Sequence, residues 1–175
     1  MLLVKLHFKY ATQNDLPLVV ATYNATVASR MVTADLEEVT TASKQVWFDA
    51  HNFDKRPLWM VELEGKYAGW MSFNSFYGRP AYEGTAEISI YLERAFQGKG
   101  LGKACLLKAI EEAPALGVHT LLGFIFGHNA VSLKLFEKFG FAVWATLPKV
   151  ANMKGVMRDL IIVGLKTKHP LNLNT

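Results

Sequence analysis

Apolar and polar positions alternate from Leu3 to Tyr10 in "LVKLHFKY", which predicts a half-buried strand. The period then lengthens. "TQNDLPLVVATYNATVA" predicts a helix capped by Asn14 or Asp15, with Pro17 in the first turn, where a missing N–H is harmless. "DLEEVTTASKQVWFDAHN" predicts a second helix, with Asp35 as cap and Val39, Val46 and Trp47 as apolar positions. Two apolar runs joined around Glu64-Gly65-Lys66 predict a hairpin over "PLWMVELEGKYAGWMSFNSFY". A third strand of this region follows in "GTAEISIYL", Gly84 to Leu92, and then a helix from about Gly100 to Ala115. "HTLLGFIF" has the continuous apolar pattern of a buried strand. "NAVSLKLFEKFG" predicts a helix capped by Asn129, with Val131, Leu135, Phe136 and Phe139 on its apolar face and Gly140 as its stop. "FAVWATLP" and "MRDLIIVGLK" are two closing strands.

The predicted order is β-α-α-β-β-β-α-β-α-β-β. Most of these strands can pair antiparallel, but the strand–helix–strand unit from Gly84 to Phe126 requires a parallel pair with a right-handed crossover. The fold class is therefore α/β (α+β), a mixed, mostly antiparallel sheet with helices on both faces. No repeat, low-complexity tract or Pro/Gly/Ser linker divides the chain, so residues 1–175 are expected to form one domain.

Composition narrows the function classes. Hydrophobic residues make up 51% and charged residues 19% of 175, a globular balance. Apolar runs such as Leu121–Phe126 are too short to cross a bilayer. The first segment is broken by Lys5, His7 and Lys9 and has no small-residue cleavage site, so no signal peptide is read and a cytoplasmic protein is expected. The single Cys105 excludes an internal disulfide and a multi-cysteine zinc site, and no metal is expected. The net charge of +4 is scattered along the chain. Nucleic acid would call for a dense basic cluster, and a phosphorylated small ligand explains so modest an excess equally well; neither a nucleic acid nor a membrane partner is expected.

The densest chemical signal is "ERAFQGKGLGKACLLKAI", Glu93 to Ile110. Gly98, Gly100 and Gly102, with Lys99 and Lys103 between and after them, stand at the mouth of a helix. Such an end presents unpaired N–H groups and a partial positive charge, and glycine lets an anion approach the backbone. The plain alternative is a glycine-rich turn without a ligand. A triphosphate loop of the Walker type needs four residues between its glycine and Gly-Lys, then Ser or Thr; here three intervene and Ala104 follows. The dinucleotide fingerprint G-x-G-x-x-G also fails, because the spacing is G-x-G-x-G.

The hexapeptide Gln97-Gly98-Lys99-Gly100-Leu101-Gly102 resembles the coenzyme A pyrophosphate loop of the GNAT superfamily of N-acetyltransferases. Asn129-Ala130-Val131-Ser132 and Gly140-Phe141 match that family's next helix, and the element order is the family's. "QNDLPLVVATYNATV", "WFDAH", "GTAEISIYLERAFQGKGLG", "HNAVSLKLFEKFGF" and "RDLIIVGL" look like the phosphinothricin and methionine sulfoximine acetyltransferase group, over about Leu6 to Leu165.

The resemblance implies acetyl-CoA as co-substrate and an amino-acid-like amine as acceptor. Ile90, Tyr91 and Leu92 would hold the pantetheine arm through their backbone, and Gln97, Gly98, Lys99, Gly100, Leu101, Gly102 and Lys103 the pyrophosphate. Asn129 and Ser132 would contact the cofactor from the following helix. Glu87, sharing a strand face with Ser89 and Tyr91, would be the general base; the plain alternative is a solvent-facing glutamate. The family's usual proton-donating tyrosine is here Phe136, so water, His128 or Tyr91 would protonate the leaving thiolate, although His128 reads as an exposed loop residue without a catalytic role. Tyr77, Arg79, Glu87 and Ser89 would border the acceptor, with Arg79 able to pair a carboxylate and Arg30 and Met31 near by. Glu83, where relatives carry a basic residue, would disfavour a doubly anionic acceptor. A homodimer is implied as well. Acetylation of a protein N-terminus, polyamine or aminoglycoside stays open, as does a non-catalytic acyl-CoA sensor.

Overall fold

A computed structural model describes residues 5–167. Its elements are β1 (Leu6–Tyr10), α1 (Leu16–Val27), α2 (Thr41–Asp49), β2 (Leu58–Leu63), β3 (Lys66–Ser75), β4 (Thr85–Leu92), α3 (Leu101–Glu112), β5 (Thr120–Phe126), α4 (Ala130–Lys138), β6 (Ala142–Met153) and β7 (Val156–Lys166). This is the predicted order. The start of the first predicted strand, before Lys5, lies outside the described residues.

The strands form one seven-stranded sheet in the order β1-β2-β3-β4-β5-β7-β6. Every neighbouring pair is antiparallel except β4 and β5. Glu64 and Gly65 take positive φ between β2 and β3, as a tight hairpin turn requires. Strand alternation divides the side chains between two layers. Ala86 and Ile88 of β4 join Cys105, Leu106 and Ala109 of α3 and Phe136 of α4 in the main core. Trp70 of β3 is buried on the other face with Val19 of α1, and Tyr23, Trp47 and Tyr91 pack against them. Cys105 is fully buried, which pushes its thiol up to about 12. No described helix is long and apolar enough to cross a membrane.

Four local expectations are corrected. Asp15 occupies the N-cap position of α1, but its carboxylate turns back to accept from Thr12 N and Oγ1, both at 2.8 Å. The second helix starts at Thr41 under a Thr40 cap, because Asp35 is engaged elsewhere, accepting from the Tyr23 hydroxyl at 2.5 Å. Val46 and Val131 are about four-fifths exposed (82% and 81%), so neither belongs to its helix's buried face. β6 also runs past Pro148 to Met153, because a register shift between Leu147 and Ala151 leaves the proline outside regular pairing.

The sheet has one break in its pairing. The parallel ladder joins Thr85, Ala86 and Glu87 to Thr120, Leu121 and Leu122, and stops there. Beyond it β4 continues against β3 as far as Leu92, while β5 continues against β7. Ile88 to Leu92 therefore have no ladder partner on the β5 side.

Gly69 holds β3 against this part of β4. Its φ is +145°, and a Cβ there would lie 2.2 Å from the Tyr91 carbonyl oxygen and 2.8 Å from Leu92 Cα. Both obstacles are backbone. Gly69→Ala should therefore lose about 3 kcal/mol or more of unfolding free energy in urea titration; a loss below about 1 kcal/mol would contradict this close approach.

Candidate active site

Glu87 sits at the last rung of the parallel ladder, opposite Leu122 on one side and Asn74 of β3 on the other. Its face is the one expected, shared with Ser89 and Tyr91 and turned toward α1 and α2. The carboxyl is largely desolvated, and burial alone raises its pKa from 4.5 to about 7. A carboxylate that titrates near neutrality is poised to take up a proton from a reacting group.

Asn74, paired opposite Glu87, is a candidate-site residue that the sequence pattern does not single out; its one signal is a polar side chain in mid-strand beside Ser72. The Trp47 indole donates to its Oδ1 at 3.0 Å, and its Nδ2 donates to Ser89 Oγ at 3.0 Å. The hydroxyl of Ser89 is thereby used as an acceptor. His51 supports Trp47 from below: its Nδ1 meets the Trp47 carbonyl at 2.8 Å, and burial lowers its pKa.

The glycine loop leaves β4 and enters α3. Gly98 and Gly100 take φ of +75° and +80°, and nothing stands within 4 Å of a Cβ at either position. These glycines serve backbone conformation and an open approach, not tight internal packing. The first turn of α3 leaves the N–H groups of Leu101, Gly102 and Lys103 without helical partners. Gln97, Lys99 and Lys103 are placed around it, with the Lys99 ammonium 5.0 Å from the Phe96 ring centre. The Leu101 side chain is core, packed with Leu63 and Ala68, so only its backbone faces the loop.

Ile90 and Leu92 turn their side chains into the core, and Tyr91 stacks on Trp70 at 4.5 Å. What the three residues expose toward the opened side of the sheet is backbone. Asn129 caps α4 by accepting from Ser132 N at 3.1 Å, and its Nδ2 donates to the Met31 carbonyl at 3.1 Å. His128 departs from expectation. It is part-buried, stacked on Phe126, and bonded through Nε2 to the Arg30 carbonyl at 2.9 Å. Arg30 and Met31 are thus fastened by backbone to the α4 N-terminus, while the Arg30 guanidinium bonds the carbonyls of Asp35 and Leu36 in its own loop.

The loop after β3 carries Tyr77 and Arg79. Tyr77 is 77% exposed and packs on Phe76 and Tyr82, and Arg79 is exposed. Buried Arg56 secures this loop, donating to the carbonyls of Glu83 and Thr85 and to Ser75 Oγ. Glu83 is paired with Lys55, so its negative charge does not stand alone beside the loop. Phe136 offers no proton donor. Its ring covers Gly123, where a Cβ would lie 2.7 Å away, and meets Phe141 at 4.9 Å. No cluster of potential metal ligands exists among the described residues.

The profile of the acetyltransferase (GNAT) family matches residues 22–141. YwnH of Bacillus subtilis (strain 168), provisionally named a phosphinothricin acetyltransferase, is 53% identical over 157 residues, covering 89% of this chain and 96% of that one. An L-methionine sulfoximine/L-methionine sulfone acetyltransferase of Salmonella typhimurium is 30% identical, over 90% and 92% of the two chains. The solved structure of YncA from Salmonella typhimurium with its cofactor acetyl-CoA superposes with a TM-score of 0.85 at 28% identity, over 97% and 98%.

The Glu87 environment has a thermodynamic signature. The folded chain holds this proton to about pH 7, whereas the ordinary value for an exposed glutamate is 4.5. Ionisation therefore weakens the fold progressively as pH rises between those values, with the full penalty above 7. Glu87→Gln cannot ionise. Its stability relative to wild type should grow by about 3 kcal/mol between pH 4 and pH 8 in chemical denaturation; a pH-independent difference would contradict the desolvated carboxyl.

Proposed function

The chain belongs to the acetyltransferase (GNAT) family, and on that premise we propose that it moves an acetyl group from acetyl-CoA to the amino group of a small amino-acid-like acceptor, with Glu87 as general base. The observation that carries the reading is a desolvated carboxyl, titrating near 7, on the strand whose next residues have lost their ladder partners.

The open stretch Ile90-Tyr91-Leu92 gives a peptide-like pantetheine arm the backbone groups that β5 has relinquished, as an added strand would use them. The positive-φ glycines and the α3 N-terminus receive the pyrophosphate, with Lys99 and Lys103 adding charge. Asn129 and Ser132 border the arm from α4. An N–H of β4 beside the thioester carbonyl stabilises the developing oxyanion. Glu87 removes the amine proton, directly or through a water molecule. The nitrogen bonds to the carbonyl carbon, the C–S bond breaks, and the thiolate takes its proton from water, because Phe136 has none to give. Arg79 pairs with the acceptor carboxylate from the loop beside Tyr77, and Ser89 lies on the acceptor side of the strand. The relatives named for phosphinothricin and for methionine sulfoximine or sulfone support an acceptor of that size. Neutralisation of Glu83 by Lys55 removes one objection to an anionic member of that class.

We also propose a homodimer through the outer strand of the sheet. β6 is an edge strand that exposes Val143, Trp144, Leu147 and Val150, an apolar row that a second copy can cover.

Acetyl-CoA with methionine sulfoximine, methionine sulfone or phosphinothricin should release thiol. The kcat/KM should rise about tenfold per pH unit below about 7 and level off above it. Glu87→Gln should lower kcat about 10²-fold or more with acetyl-CoA affinity retained. No thiol release with any of the three amines would overturn the acceptor assignment. Light scattering should give twice the chain mass of 19.5 kDa, and Val143→Glu should shift it to the single-chain value.

A further inference from the structure

A cavity of about 60 Å³ lies on the acceptor side of the sheet, walled by Tyr23, Trp47, Trp70 and Tyr91. Ser89 and Lys44 are the non-aromatic polar residues that line it. Ser89 follows Glu87 by one same-face step, about 7 Å along the strand. An acceptor whose amine meets Glu87 can therefore direct its side chain past Ser89 into the cavity.

Besides the tyrosine hydroxyls, of which that of Tyr23 is committed to Asp35, the polar groups of Ser89 and Lys44 are both donors. Ser89 Oγ already accepts from Asn74, whose orientation is fixed by the Trp47 indole, so the Ser89 proton is the part left to give. The Lys44 ammonium lies 4.5 Å from the Tyr23 ring centre and 5.8 Å from that of Trp47. Its nearest carboxylate, Asp35, is 3.9 Å away and accepts a shorter bond from the Tyr23 hydroxyl. Lys44 is thus a cation with an incompletely matched charge at the wall of an aromatic slot. Such a site attracts hydrogen-bond-accepting oxygens and repels cations.

We propose that this cavity receives the acceptor's side chain, and that Lys44 is the residue that selects a short unbranched side chain ending in oxygen over an apolar or cationic one of the same length. The assignment rests on the acetyl-transfer reading above and deepens it. It sets the acceptor class against polyamines, whose cationic groups Lys44 would repel.

Three acceptors of one skeleton separate the possibilities: methionine sulfone, methionine and the sulfonium S-methylmethionine, each assayed by thiol release at saturating acetyl-CoA. The wild type should prefer the sulfone over methionine by about tenfold and over the sulfonium by about a hundredfold, as expected for one charge-assisted bond gained and one charge opposed. Lys44→Met keeps the stem packed on Tyr23 and Trp47 without the charge. It should cost the sulfone about tenfold, mainly in KM, and improve the sulfonium by a similar factor, with the KM for acetyl-CoA unchanged. Lys44→Arg should retain the wild-type order. Equal changes for all three acceptors in Lys44→Met, or loss of the order in a folded Lys44→Arg, would overturn the role of Lys44 while leaving the acetyl-transfer reading intact. Failure of the wild type to acetylate any of the three would overturn both.

Discussion

The site depends on a ladder that stops early. Three paired positions hold β4 to β5, and beyond them each strand keeps only its other neighbour, β3 or β7. An unpaired backbone edge inside a folded sheet is costly unless something supplies the missing partners. The same break fixes the location of Glu87, because the last shared rung is where the carboxyl stands. The proposed donor edge and the proposed base are thereby placed by one departure from regular sheet geometry.

The surroundings of the carboxyl follow from layer chemistry. On the α3 and α4 side β4 presents Ala86 and Ile88 to a hydrocarbon core. On the other side the space between strands and α2 contains polar groups, but they are committed to each other. Trp47 holds Asn74, Asn74 holds Ser89, and His51 holds the backbone of Trp47. None of these bonds goes to the Glu87 carboxylate, so its environment is defined by exclusion of water. Burial is accordingly the cause of its displaced pKa.

Much of this architecture is written locally in the sequence. The Glu64-Gly65 turn, the glycines before α3 and the Asn129 cap each require a particular residue type within a few positions, and each stands where the pattern puts it. The features that the pattern hides depend on partners distant in sequence. Asp35 has the residue type and spacing of a cap, but its tie to Tyr23 crosses from loop to helix. Val46 and Val131 fit an apolar helical stripe, but the surfaces they face are solvent. Asn74 and Lys44 have no pattern of their own, since their contacts arise when β3, β4 and the helices stack. His128 reads as loop because its partner is the carbonyl of Arg30, 98 positions earlier.

The clasp made by His128 ties together two segments far apart in the chain. His128 and Asn129 grip the carbonyls of Arg30 and Met31, each across 98 positions. Contacts so remote in sequence close a long stretch of chain, so they hold only while the fold between their ends is intact. The loop after α1 and the N-terminus of α4 are thereby joined at two neighbouring points. On the proposed reading the acceptor and donor sides of the site are fastened to one another, so a local opening at either segment would be felt at both.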